Sequence, residues 1–220
     1  MNTRDRIIMG ARMLFNERGY GSFTTASLAA ELGIAEGNLW YHFKSKRALL
    51  EAIFAEFDPH IRERLAMRPG ADSDIIGDYI AFLNRYIREL REYRFLYRDQ
   101  ANYGEYSEEL DKALPDYWEE TVRQLETYYA SMLSVGVLDW SPDRLRDLAL
   151  NVTIIIRFFL EYYRAIGLPS GTGSGAVHRS FAQHLTLFDQ NLLPEAAARL
   201  REALSRIATQ NDVERSTAGA

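Results

Sequence analysis

Apolar residues recur at intervals of three and four positions through almost the whole chain, and strict alternation of apolar and polar residues is absent. Positions spaced in this way share one face of an α-helix, whereas the side chains of a strand alternate every second residue. The sequence therefore predicts an all-α fold of about nine to ten helices. Glycine and proline breaks place the helices that follow the first, N-terminal group near residues 72–98, 107–113, 115–134, 142–166, 176–191 and 194–208.

The charge distribution divides the chain into a basic head and an acidic body. Residues 1–47 hold seven lysines and arginines against four acids, although the whole chain of 220 residues has a net charge of −5. An acidic body repels phosphate everywhere except at such a head. We expect a head over residues 1–47, a body over 48–210 and a flexible tail over 211–220. Pro59 is expected to kink or restart the helix that joins head to body.

The composition excludes several classes of protein. With 47% of its residues hydrophobic, the chain can bury a core, and the absence of cysteine excludes a disulfide scaffold and a Cys-ligated zinc site. The most apolar stretch, residues 148–163, is interrupted by Asn151, Arg157 and Glu161 and falls short of a membrane span. We therefore expect a cytoplasmic protein with no secretory signal and no membrane segment.

No pattern of an enzyme or a metal site stands out. The four histidines (His42, His60, His178 and His184) lack metal-ligand spacing. A glycine-rich phosphate loop and a Gly-x-Ser-x-Gly elbow are also missing from the sequence. We expect no catalysis, no metal and no cofactor.

Residues 23–46 have the sequence form of a helix-turn-helix. Thr24 or Thr25 can cap a short helix that ends near Leu32, and Gly33 supplies the turn. Leu39 and Phe43 then anchor a second short helix to the same core. Gly37 lies inside that second helix, where glycine costs about 1 kcal/mol relative to alanine. This cost is understandable if the helix backbone passes close to DNA.

The same stretch resembles the DNA-binding domain of the TetR (tetracycline-repressor) family. Phe-Thr-Thr at 23–25, Leu-Ala at 28–29, Gly-Ile at 33–34, Gly-Asn-Leu at 37–39 and Tyr-His-Phe-Lys-Ser-Lys at 41–46 stand in the family's order and spacing. The likeness covers about residues 3–50. It implies a homodimeric regulator that binds double-stranded operator DNA and, as a repressor, releases it when a small molecule binds the body.

The resemblance also assigns roles to residues of the head. It implies phosphate contacts by Thr25, Tyr41 and Lys46. It places His42 at the edge of a groove-facing set formed by Ala35, Glu36, Gly37, Asn38 and Trp40. Ala35 stands where the family often has serine, and Trp40 replaces a common tyrosine. Two alternatives remain: Trp40 and Tyr41 as core aromatics, and Glu36 in a solvated or intramolecular role instead of reading cytosine.

In the body, the helix expected at 142–166 is apolar nearly all round, which predicts burial on more than one side. Together with the resemblance, this suggests a dimer interface that includes Ile155, Phe159, Phe181, Leu185 and Phe188. Aromatic residues and one arginine form the candidate effector site: Tyr93, Tyr97, Tyr103, Trp118, Arg157, Phe158 and Tyr162. An aromatic core is the alternative for the tyrosines, and an ion pair or a snorkelling role is the alternative for Arg157.

Two other functions fit the same residues. A TetR-like activator has the same head, so the sequence leaves open the direction of regulation. A helical module that binds a small molecule without touching DNA fits the body but not the head.

Overall fold

The structure, a computed structural model, describes residues 2–71, 73–98, 107–170 and 174–218, with side chains as far as Arg206. Its α-helices are α1 (Thr3–Arg18), α2 (Thr25–Glu31), α3 (Glu36–His42), α4 (Lys46–Ala66), α5 (Ile75–Glu92), α6 (Arg94–Arg98), α7 (Glu108–Ser134), α8 (Leu145–Ala165), α9 (Ala176–Leu185) and α10 (Pro194–Ala218). Within these ranges extended backbone pairs only at the isolated bridge between Leu138 and Leu192. The predicted all-α fold is confirmed.

The ends of several helices follow from local signals. Asn2 caps α1, since its Oδ1 accepts from the Asp5 N–H at 2.9 Å and the Asp5 carboxylate accepts from the Asn2 N–H at 3.3 Å. Gly19 ends α1 with a φ of 91° and donates its N–H to the Phe15 carbonyl. Pro194 is the first residue of α10, as predicted, because a first-turn residue needs no N–H.

The structure corrects the predicted helix bounds at two prolines that lie inside helices, Pro59 and Pro115. The expected break before Pro115 is wrong, because α7 continues from Glu108 to Ser134. Likewise α4 continues through Pro59 instead of restarting there. Asp58, the residue before Pro59, accepts hydrogen bonds from Arg62 and Tyr117. A proline removes one backbone hydrogen bond, and packing of the flanking turns can offset that loss.

Three other predicted bounds also differ from the structure. The helix expected at 72–98 is two helices, because α5 ends at Glu92 and α6 begins at Arg94. The helix expected to reach residue 191 ends at Leu185 and is followed by a 3₁₀ turn at Asp189–Asn191. The last helix runs to Ala218, past the expected end at 208, because its final turns contain neither proline nor glycine. It therefore overlaps the expected tail over 211–220.

The described chain forms two compact units. One comprises Met1–Glu63 with Glu89–Tyr117, and the other comprises Arg64–Arg88 with Trp118–Ala220. These boundaries differ from the expected division at residue 47, which remains a prediction about function.

In the first unit, α1 is held to the junction of α5 and α6 by a buried amide. Asn16 donates its Nδ2 to the Glu92 carbonyl at 2.8 Å and accepts from the Phe95 N–H at 3.1 Å. It therefore satisfies backbone groups that the helix break leaves without helical partners. Arg12 adds an ion pair to Glu92 at 2.5 Å, with its guanidinium 4.8 Å from the Tyr93 ring centroid.

In the second unit, a buried hydrogen-bond chain joins α5, α7 and α9. The Tyr79 hydroxyl lies 3.0 Å from the Tyr129 hydroxyl and 3.2 Å from His184 Nε2. His184 Nδ1 contacts the Phe181 carbonyl, which can only accept, so Nδ1 carries the proton and Nε2 accepts from Tyr79. Burial lowers the pKa of His184 to about 4, so the ring is neutral at pH 7.

Within the described residues, no helix is both long enough and apolar enough to cross a membrane.

Candidate nucleic-acid interface

The helix-turn-helix is built on α2 and α3. Thr24 caps α2, because its hydroxyl accepts from the Ser27 N–H at 3.1 Å while Ser27 Oγ accepts from the Thr24 N–H at 2.9 Å. Gly33 forms the turn with a φ of 65°, a conformation that favours glycine. The Ile34 N–H then donates to the Ala29 carbonyl at 3.0 Å. Of the two predicted caps, Thr24 is the one used.

An apolar core fixes the orientation of α3. Leu39 and Phe43 are 2% and 4% exposed, and on α2 Leu28 is fully buried. Phe15 of α1 lies 5.2 Å from Tyr20 and 5.9 Å from Phe23, measured between ring centroids. The prediction that Leu39 and Phe43 anchor the second short helix to the core is therefore confirmed, which determines the residues that face outward.

The outward face of α3 contains most of the predicted groove-facing set. Ala35, Glu36, Gly37 and Asn38 are all exposed, and Trp40 and Tyr41 are 40% and 76% exposed. A core role for either aromatic is thus excluded. His42 is half-buried, with its ring edge-on to Tyr41 at a centroid distance of 5.1 Å. That these side chains contact DNA remains a prediction.

Glu36 and Trp40 interact with each other across one turn of α3. The indole Nε1 donates to Glu36 Oε1 at 3.4 Å. This contact favours the intramolecular role for Glu36 over the reading of a base. It also occupies the only hydrogen-bond donor of the indole.

Ala35 and Gly37 give α3 a weak N-terminus. Ala35 is the N-cap residue, in extended backbone with a φ of −64° and a ψ of 140°, and no side chain caps the helix. A Cβ built on Gly37 meets no atom within 4 Å, so no internal contact requires glycine there.

Lys46 and Thr25 lie where α4 and α2 begin. The Lys46 ammonium donates to the Tyr20 carbonyl at 2.8 Å and to the Phe23 carbonyl at 2.5 Å. It also lies 4.0 Å from the Tyr20 ring centroid, and burial lowers its pKa. Thr25 is half-buried. Local sequence could not reveal the Lys46 contacts, because their partners lie more than twenty positions away.

The candidate effector residues form two groups. In the first unit Tyr93 and Tyr97 are buried beside Phe57, with ring centroids 5.2 Å and 6.2 Å from it. In the second unit the Arg157 guanidinium lies 4.9 Å from the Trp118 ring centroid and 5.2 Å from that of Phe158. Tyr162 is 59% exposed. Tyr103 lies outside the described residues.

The structure corrects the predicted dimer interface. Phe181, Leu185 and Phe188 are at most 3% exposed and belong to the core of a single chain. Side chains buried in this way have no surface to offer a partner, and the two phenylalanine rings pack against Tyr86, Tyr129 and His184. Ile155 and Phe159 are half-buried.

The exposed apolar residues of α8 form a different set. Leu150, Ile154, Phe158 and Tyr162 are 45–59% exposed and recur every four positions. That spacing could have distinguished this face from the buried one, on which Leu148, Val152 and Ile156 lie.

Comparison with known families matches both halves of the chain. Residues 7–53 match TetR_N, described as bacterial regulatory proteins of the tetR family. Residues 56–200 match TetR, described as a bacterial transcriptional repressor.

Curated relatives are similar to part of the chain. The tetracycline repressor protein class A from transposon 1721 of Escherichia coli is 37% identical over 99 residues, which is 43% of this chain and 41% of that protein. The HTH-type transcriptional regulator UidR of Escherichia coli K12 is 39% identical over 54 residues, 24% of this chain and 28% of that protein. The matched stretches therefore span less than half of these relatives' length.

Solved structures are similar over nearly the whole chain. A TetR-family transcriptional regulator from Marinobacter aquaeolei has a TM-score of 0.75 at 26% identity, covering 94% of this chain and 98% of that one. A gamma-butyrolactone receptor (ArpA-like protein) has a TM-score of 0.61 at 17% identity, covering 95% and 97%. The second likeness concerns the fold alone.

Proposed function

The chain belongs to the TetR family of bacterial transcriptional regulators, and we propose that it is a repressor which binds operator DNA through α2 and α3 and releases it on binding a small molecule. The observation that carries the DNA-binding part is the outward face of α3. Asn38, Trp40 and Tyr41 are exposed there while Leu39 and Phe43 on the same helix are buried. Such a helix can enter the major groove while its core side stays packed.

The exposed side chains suit two kinds of DNA contact. The Asn38 amide has both a donor and an acceptor and can pair with the N6 and N7 atoms of adenine. The Tyr41 hydroxyl can donate to a phosphate, a contact that positions the helix without reading sequence. Base readout and positioning are therefore assigned to different residues, which makes them separable by substitution.

Binding to duplex DNA tests this function directly. We expect the full-length protein to shift a duplex from the region upstream of its own reading frame, and to bind a random duplex less tightly. Asn38→Ala should reduce discrimination at particular base pairs, by about 1–3 kcal/mol for a lost bidentate contact. Gln190→Ala, at an exposed amide in the 3₁₀ turn after α9, is the matched control. A wild-type protein that binds no duplex would refute the proposal.

We further propose that the protein is a homodimer whose interface includes the exposed face of α8. Leu150, Ile154, Phe158 and Tyr162 form an apolar stripe along more than three turns of this helix. A large exposed apolar face is costly in a monomer, and a two-fold axis buries the same stripe on both copies.

Sedimentation measurements test the dimer. Ile154→Glu is expected to produce monomers at micromolar concentration, because it places a carboxylate in the proposed apolar contact. Val135→Glu, at a side chain 61% exposed beyond the end of α7, is the matched control and should leave the mass unchanged. If Ile154→Glu remains as dimeric as the control, the interface is assigned to the wrong surface.

For the effector, we propose a flat molecule with an anionic group that binds at Trp118 and Arg157. The ring of Trp118 is 7% exposed and lies against the Arg157 guanidinium, a pairing of an aromatic face with a cation. The chain has three tryptophans, so Trp40→Phe with Trp140→Phe leaves Trp118 as the only indole. We expect aromatic carboxylates that release DNA to quench this fluorescence, and Arg157→Gln to weaken the quenching. Release of DNA without any change at Trp118 would place the effector elsewhere.

A further inference from the structure

The head contains seven lysines and arginines, and the structure shows that four of them are already bound within the chain. Ion pairs hold three of them: Arg12 with Glu92 at 2.5 Å, Arg18 with Glu31 at 2.5 Å and Arg47 with Glu51 at 2.9 Å. The fourth is Lys46, whose ammonium donates to two backbone carbonyls. Arg4, Arg6 and Lys44 are exposed.

The environment of Lys46 leaves little of its ammonium for DNA. An ammonium has three N–H donors, and two of them point to the carbonyls of Tyr20 and Phe23. The Tyr20 ring lies 4.0 Å from Nζ. A contact to phosphate would require Lys46 to give up hydrogen bonds that join the start of α4 to the segment before α2.

Two exposed cations lie instead at the C-terminal end of α3. The Arg4 guanidinium lies 5.2 Å from the ring centroid of Phe43, the C-cap residue of α3. Stacking on an aromatic face orients a guanidinium and leaves its N–H donors free to point outward. Lys44 follows Phe43 directly in the chain and is exposed.

We infer that Arg4 and Lys44 contact the phosphates beside α3, and that Lys46 is a positioning residue which fixes the approach to α2. This inference rests on the proposed DNA binding and changes the phosphate contacts that the family resemblance implied. Arg4 is brought to α3 by the packing of α1, so no motif within residues 23–46 includes it. Lys46 acts through the segment that ends at Thr24, the cap of α2.

The salt dependence of DNA binding separates the two roles. The affinity falls as salt rises, and each lost phosphate contact lowers the magnitude of the slope of log K against log salt, here simply called the slope, by about 0.9. A positioning residue changes the affinity without changing the slope. We expect Arg4→Ala and Lys44→Ala each to lower the slope by about 0.9 per half-site bound. Lys46→Met should weaken binding at every salt concentration with the wild-type slope. Lys46→Gln, which is neutral but keeps N–H donors, should recover part of the lost affinity, again with the wild-type slope.

The measurement uses the full-length protein and a fluorescent random duplex between 50 and 200 mM salt. Over this range the affinity of a protein with many phosphate contacts falls by about 10³-fold or more. Arg123→Ala, at an exposed cation of α7, is the control and should keep the slope. Circular dichroism shows whether each variant is folded, and Lys46→Gln is the gentler substitution if Lys46→Met unfolds the head.

Two results would overturn the inference while leaving the proposed function intact. One is a slope lowered by about 0.9 in both Lys46 variants, the signature of a direct phosphate contact. The other is an unchanged slope in both Arg4→Ala and Lys44→Ala. A wild-type protein without affinity for duplex DNA would instead remove the proposed function, and this inference with it.

Discussion

Replacing Gly37 by alanine should stabilise the protein and weaken its binding to DNA. Gly37 is exposed in α3, and an added Cβ meets nothing within 4 Å in the free protein. Alanine is favoured over glycine in a helix by about 0.5–1 kcal/mol. Since Gly37 lies in the first turn, we expect the lower value, which corresponds to a rise in melting temperature of about 1–2 °C for a chain of this size.

On DNA the sign reverses. If the backbone of α3 lies against the groove at Gly37, the new methyl group occupies space that the DNA needs, at a cost of about 1–3 kcal/mol by analogy with overpacked cores. Binding should then weaken by about 5-fold to 150-fold for each half-site. Gly21→Ala is the matched control, because Gly21 is also exposed with nothing within 4 Å but lies in the 3₁₀ turn at Tyr20–Ser22.

Thermal melting and fluorescence anisotropy with a duplex measure the two effects on the same samples. The reasoning fails if Gly37→Ala binds DNA as tightly as the Gly21→Ala control. It also fails if Gly37→Ala lowers the melting temperature without DNA, since glycine would then serve the fold of the free protein.

Three further substitutions test other features of the structure. Ala35→Ser should supply the side-chain cap that α3 lacks and raise the free energy of unfolding by about 0.5–2 kcal/mol in urea titrations, and an unchanged midpoint would contradict the cap geometry. Glu36→Gln removes a negative charge from the proposed DNA-facing surface, so affinity for specific and random duplexes should rise alike; a selective loss at one base pair would show that Glu36 reads a base. His184 has a folded-state pKa of about 4, below the value of about 6.5 expected in the unfolded chain, so the unfolded state binds more protons between these values and stability falls as the pH falls. The loss from pH 7 to pH 4 should reach about 3 kcal/mol and largely disappear in His184→Gln; a wild-type profile in that variant would locate the titrating group elsewhere.

The head could be predicted closely because its signals are local. A helix cap, a turn glycine and the spacing of apolar residues each act within a few positions. Accordingly Thr24 caps α2, Gly33 forms the turn and Leu39 is buried. The roles that the family resemblance implied for Asn38, Trp40 and Tyr41 require exposed side chains, and the structure has all three exposed on α3.

The errors arose where a distant partner decides the outcome. Pro115 was expected to end a helix, yet α7 continues through it. A local rule about proline takes no account of the packing that holds the flanking turns together. Phe181 and Leu185 are residue types that suit an interface as well as a core, and only their burial, with the Phe181 ring packed against Tyr86 and His184, assigns them to the core. From the sequence, Lys46 is likewise one of several basic residues in a basic segment. Only the structure shows that its ammonium donates to backbone carbonyls.

The contacts of Asn16 determine how this regulator can be recombined with its relatives. Because the Asn16 amide completes the junction between α5 and α6, a fragment that stops at residue 47 would lack both the Glu92 carbonyl and the Phe95 N–H that this amide binds. Phe15 would also lose the ring of Phe95, whose centroid lies 5.5 Å away. The DNA-reading part is therefore not a detachable cassette. A chimera that transplants it should carry residues 89–117 together with residues 1–63, so that the graft follows the compact unit instead of the motif.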